Sequence, residues 1–167
     1  PAFDRTFSLR NWATIMATLL IHFSKNNMNY NHYTKNINKK ENNDYENILK
    51  SILKNKKILH IGCGYGYFLE VIKSLDAVPF GIEPYCSFPE NLNITKARAE
   101  DLQDNNSVLS KKLKGKKFDA IVAHDFFSFS ILFSKENANK IIKSLKKYLN
   151  SKGIMVFENM NEETLLE

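Results

Sequence analysis

The feature that most constrains this chain is a change of rhythm at residues 57–66. A short apolar run, Lys57-Ile58-Leu59-His60-Ile61, is stopped by Gly62-Cys63-Gly64-Tyr65-Gly66. A helical pattern follows, with Phe68, Leu69, Val71, Ile72 and Leu75 apolar. An apolar run of that length, stopped by glycine, reads as a buried strand, and the 3.6-residue spacing after it as an amphipathic helix. Glycines at such a bend let the backbone turn tightly and let a ligand approach the main chain.

The same alternation continues to the end of the chain. Strands are expected at residues 78–82, 92–97 (the weakest), 118–123 and 154–157, the last opened by Gly153. Helices are expected within 99–113 and over 135–149, where Ala138, Ile141, Ile142, Leu145, Tyr148 and Leu149 share a face. A further helix at 44–55 precedes the glycine turn. Strands alternating with helices imply an α/β fold. Right-handed crossovers then make it a doubly wound, mostly parallel sheet of about five strands with helices on both faces. Upstream, Trp12, Ile15, Met16, Leu19, Leu20 and Phe23 predict an N-terminal helix, and the polar residues 24–43 a loop carrying Tyr30 and Tyr33. Residues 1–43 therefore read as an appendage and 44–167 as the single Rossmann-like domain. The appendage helix has two readings: packing on the sheet, or a lid over a pocket.

Composition removes several classes. A 167-residue chain with 43% hydrophobic residues buries enough surface to need no disulfide or metal staple. Its two cysteines, Cys63 and Cys86, form no framework and suit a reducing, cytoplasmic setting. The longest apolar-dominated run, residues 13–23, falls short of the ~20 residues a membrane span needs. His22, His32, His60 and His124 have no metal-ligand spacing, so no metal site is expected. The charge of +6 comes from 21 Lys and three Arg. Sequence-specific nucleic-acid contacts favour Arg, so this balance reads first as solvated faces and only second as a functional basic surface.

Two residue sets carry chemistry. The glycine turn spells G-x-G-x-G, with Tyr67 where a dinucleotide fingerprint needs its third glycine, so that fingerprint fails. Glu83 ends the second strand, seventeen residues beyond Gly66. A carboxylate there, behind such a turn, is placed to accept bonds from two ribose hydroxyls.

The run from Ile58 to Leu69 resembles motif I of class I S-adenosylmethionine-dependent methyltransferases. Phe80-Gly81-Ile82-Glu83-Pro84, Ala99-Glu100-Asp101-Leu102, Phe118-Asp119-Ala120-Ile121-Val122 and the run from Leu145 to Glu158 resemble the family's later segments, in order and at its spacing. The resemblance covers residues 45–160. It implies that Gly62, Cys63 and Gly64 line the methionine part of the cofactor, with Gly66 and His60 also in the cofactor site. Glu83 would hold the ribose, with Pro84 beside it. Ala99 and Glu100 would meet the adenine. His124 and Asp125 would face the methyl group and the substrate, His124 also bordering the cofactor.

Three departures stand out. His60 replaces the usual acid near the cofactor's cationic end, where a charged imidazole would repel it. Arg98 replaces an acid before the Ala-Glu-Asp-Leu segment. No residues after Glu158 supply the family's last two strands. The chain is therefore expected to be a fragment or a shortened relative, with a bare fifth-strand edge open to self- or partner association.

The implied activity is in-line methyl transfer from S-adenosylmethionine to a small, apolar or aromatic acceptor, leaving S-adenosylhomocysteine. Residues Phe126, Phe127, Phe129, Ile131, Leu132 and Phe133 read equally as core or as an acceptor pocket. Tyr30 or Tyr33 is a candidate for the cofactor carboxylate. His124 reads either as a pocket residue and general base or as a hydrogen-bonded strand-end histidine. The alternatives are a non-catalytic binding or assembly module and, less favoured, an RNA or protein methyltransferase.

Overall fold

A computed structural model of the chain describes residues 43–124 and 135–158. In order they form α1 (Asn43–Leu53), β1 (Lys57–Ile61), α2 (Tyr67–Ser74), β2 (Val78–Ile82) and β3 (Ile94–Thr95). A 3-10 turn (Ala99–Gln103) follows, then α3 (Val108–Leu113), β4 (Phe118–His124), α4 (Lys135–Lys146) and β5 (Leu149–Glu158). The strands lie in the order β3-β2-β1-β4-β5, every pair parallel. This is the doubly wound sheet that the alternation implies. The expected N-terminal helix, the loop with Tyr30 and Tyr33, and the apolar run after β4 lie outside the described residues.

Strand alternation sorts the core into two layers. Ile58 joins Leu49 and Leu53 of α1 and Phe68, Leu69 and Ile72 of α2. Leu59 and Ile61 face the opposite side, with Leu102, Leu109, Leu113, Ile141 and Leu145. Each buried Leu, Ile or Phe contributes about 1.5–3 kcal/mol, so β1, covered on both faces, anchors the domain. At the start of the sheet Asp119 braces β1 to β5. Its carboxylate accepts from the Lys57 N–H at 2.8 Å and from Asn150 Nδ2 at 3.0 Å.

Three elements differ from the sequence reading, each for a local reason. β3 has two residues rather than six. It pairs only with Gly81 and Ile82; on its N-terminal side Leu92 belongs to a turn, its N–H donating to the Pro89 carbonyl at 3.2 Å, and Pro79 has no N–H to extend the ladder there. The helix expected within 99–113 is two pieces. Asp104 accepts the Asn106 N–H and turns the chain, and the Ser107 hydroxyl oxygen, accepting from the Ser110 N–H at 3.0 Å, starts α3 afresh. β5 is longer than expected and α4 shorter. Leu149 pairs with Phe118 while Ile154 pairs with Ala120, so the intervening residues bulge. Gly153 sits in that bulge, where an added Cβ would stand 2.9 Å from the Phe118 carbonyl oxygen. Among the described residues, no helix is long and apolar enough to cross a membrane.

Candidate functional site

In an open parallel sheet the loops beyond the carboxyl ends of the strands are the natural ligand edge. Here three such loops, after β1, β2 and β3, are tied together before any ligand is considered. Glu83 is the knot. It is buried, and its Oε2 accepts the Gly64 N–H at 3.0 Å. Its Oε1 accepts the N–H groups of Tyr85 at 2.8 Å and Cys86 at 3.2 Å. Its own N–H donates to the Thr95 carbonyl at 3.1 Å, which draws in the third loop. Glu83 is therefore not a solvated strand-end residue.

The glycine turn is held by the same economy. Gly62 and Cys63 both donate their N–H to the Ile82 carbonyl, and Gly66 donates to Cys63. The N–H groups of residues 62, 63, 64 and 66 are thus engaged within the protein. What the turn offers a ligand is room. Gly62, Gly64 and Gly66 all have positive φ, but they differ in surroundings. A Cβ on Gly64 would meet nothing within 4 Å, whereas one on Gly66 would stand 2.6 Å from Leu92 Cδ1. Gly64 borders open space beside the Glu83 carboxylate; Gly66 is wedged against the core.

The second and third loops are also joined through side chains. Tyr85 is exposed, yet its hydroxyl accepts from Arg98 Nη2 and the guanidinium lies 5.7 Å from its ring centroid. Arg98 is itself fixed, its N–H donating to Asp101 Oδ2 at 2.9 Å. Pro84 is half-buried between Glu83 and Tyr85. Ala99 is buried and Glu100 half-buried at the head of the 3-10 turn, beside Arg98. Nothing at short range in the sequence marks the Tyr85–Arg98 pair, thirteen residues apart, and sequence reasoning missed it.

His60 packs into the layer beneath the loops, 4% exposed and edge-on to Phe68 at 5.1 Å between ring centroids. His124 ends β4 opposite Glu158 of β5, one register step beyond the Ala123–Ile61 pair, so the backbone carries it to the ligand edge. Asp125 lies outside the described residues. The structure therefore brings Gly62, Cys63, Gly64, Gly66, Glu83, Pro84, Ala99 and Glu100 to one edge.

Two thiols sit at this edge. Burial, then the Glu83 charge, pushes the Cys63 thiol up to about 12. Cys86 is raised as well, by desolvation first and then by Glu83. Thiols react as thiolates. At pH 8 a disulfide reagent is expected to leave Cys63 untouched in the folded chain, to modify half-buried Cys86 slowly, and to titrate both once the chain is denatured. Two fast thiols in the native chain would contradict the burial of Cys63. The sign for stability follows. Unfolded Cys63 releases its proton near pH 9 while the folded thiol holds it, so its contribution is intact below pH 9 and declines as pH rises from there toward about 12.

Residues 30–166 match a family model described as a methyltransferase domain. The ubiquinone biosynthesis O-methyltransferase of Bartonella quintana (strain Toulouse) is 30% identical over 112 residues, which are 64% of this chain and 42% of that protein. A crystal structure of a SAM-dependent methyltransferase from Archaeoglobus fulgidus superposes with a TM-score of 0.51 at 20% identity, covering 70% of this chain and 54% of that one. The plantazolicin methyltransferase BpumL, solved in complex with SAH, gives 0.48 at 21% identity over 71% of this chain and 46% of its own. The chain thus spans less than half the length of the curated relative it matches.

Proposed function

The chain belongs to the methyltransferase-domain family, and from that premise we propose that it binds S-adenosylmethionine and carries the cofactor half of a methyl-transfer site. The observation that carries this reading is the pairing of open space at Gly64 with the buried Glu83 carboxylate, 3.0 Å from the Gly64 N–H. A carboxylate has about four acceptor sites, and three here take backbone N–H groups. That leaves capacity for a ribose hydroxyl without releasing the loops. The residues present therefore fit the group.

In this reading Glu83 orients the ribose and the 62–66 turn leaves room for the methionine part. Ala99 and Glu100 border the adenine side. His60 lies behind the turn, in place of an acid. Bound there, S-adenosylmethionine supplies an already activated methyl group, so the chain's task is alignment rather than activation. A base is needed only where the acceptor must lose a proton, and His124, at the next strand end, is the candidate. Asp125 is proposed beside it. The acceptor is proposed to be a small apolar or aromatic molecule, a reading supported by the curated relative's name, a ubiquinone biosynthesis O-methyltransferase.

Calorimetric titration of the 167-residue chain with S-adenosylhomocysteine tests the proposal. Micromolar binding is expected. Gly64→Ala should weaken it at least tenfold while lowering stability by only about 1–2 kcal/mol, the cost of a Cβ in the left-handed region. Absence of binding by the folded parent chain would sink the proposal.

A further inference from the structure

Tyr85 is 70% exposed, the second most exposed large apolar side chain among the described residues, yet it is held at both ends. Its N–H is fixed on Glu83 at 2.8 Å and its hydroxyl accepts from Arg98, whose guanidinium stands over the ring at 5.7 Å. Arg98 belongs to a different loop and is locked there twice. Its N–H donates to Asp101 Oδ2 at 2.9 Å, and its carbonyl accepts the Asp101 N–H at 3.1 Å. Burial does not account for this arrangement, since both partners are exposed. Packing against the core would stabilise a ring by covering it. This ring instead stands out in solvent with its position fixed, next to the carboxylate assigned to the ribose.

We infer that Arg98 is a positioning residue: it holds the Tyr85 ring upright as the wall against which the nucleobase of the bound cofactor stacks. The inference rests on the cofactor reading above. Its chemistry is specific to this pair. An arginine bonds the hydroxyl and lies over the ring at once, because its planar fork donates in several directions and its delocalised charge suits a π face. A base stacked on an aromatic ring gains substantially from a ring that no longer turns. Arg98 then acts only through Tyr85, and it contributes to affinity for the nucleoside rather than to folding.

The test uses the full chain, with S-adenosylhomocysteine and adenosine as calorimetric probes and thermal midpoints as control. Tyr85→Ala should weaken both probes at least tenfold, and Arg98→Gln three- to tenfold. The double variant should be no worse than Tyr85→Ala alone. Tyr85→Phe, which keeps the ring but loses the hydroxyl that Arg98 holds, should lose about as much as Arg98→Gln, and Arg98→Lys should recover only part of what Arg98→Gln loses. All midpoints should stay within a few degrees of the parent, because exposed pairs carry little stability. Parental affinity in Arg98→Gln, or losses that multiply in the double variant, would overturn the inference while leaving the cofactor reading intact. A parent chain that binds neither probe would overturn both.

Discussion

Replacing Glu83 with alanine is expected to cost about 2–4 kcal/mol of folding stability and to abolish S-adenosylhomocysteine binding. Three N–H groups, from Gly64, Tyr85 and Cys86, would lose their acceptor. Leaving a buried donor unsatisfied costs about 1–3 kcal/mol each. Two effects reduce the sum. Tyr85 and Cys86 lie where water can reach the released groups. Removing a buried carboxylate also relieves its own desolvation. Glu83→Gln separates the roles. Its carbonyl oxygen still serves Tyr85 and Cys86, but its amide would present a donor to the Gly64 N–H, for a cost of about 1–2 kcal/mol. Urea denaturation followed by circular dichroism measures both. An alanine variant that unfolds at the parental urea concentration would show that the carboxylate does not hold the loops.

Gly66→Ala is the second large effect, expected to cost about 2–4 kcal/mol. Gly66 has φ of 86°, and its new Cβ would stand 2.6 Å from Leu92 Cδ1 and 3.0 Å from Ile94 Cδ1. The backbone penalty is about 1–2 kcal/mol and overpacking adds about 1–3. Leucine and isoleucine tips can shift, which sets the expectation below the full sum. The contrast with Gly64 is diagnostic. Gly64→Ala should be mild in stability and severe in binding, and Gly66→Ala the reverse in order of magnitude. Equal denaturation midpoints for the two variants would contradict the wedge described for Gly66.

The same contrast shows what a linear sequence conveys. Both glycines were legible as turn residues, because a strand-to-helix bend needs left-handed backbone. Which one borders open space was not, because that depends on Leu92 and Ile94 arriving from elsewhere. β1 was readable from an apolar run stopped by glycine, β2 and β4 from short apolar runs, and α2 from its 3.6-residue spacing; the parallel sheet followed from the alternation. β3 was over-read, since six extended-looking residues do not reveal that the chain is still turning at Leu92, whose N–H is held by the Pro89 carbonyl. β5 was under-read, since a bulge around Gly153 interrupts its pattern. Glu83 was identifiable by position, but its three backbone partners were not, because they lie on two loops nineteen and two to three residues away.

The Glu83 knot has a thermodynamic consequence. Loops that wait for a ligand to order them lose conformational entropy on binding, and affinity falls accordingly. Here the loop segments proposed to meet the ligand are already fixed by main-chain bonds to one carboxylate. Folding bears that entropy, so association is left mainly with the translational and rotational cost, and the rim is preorganised.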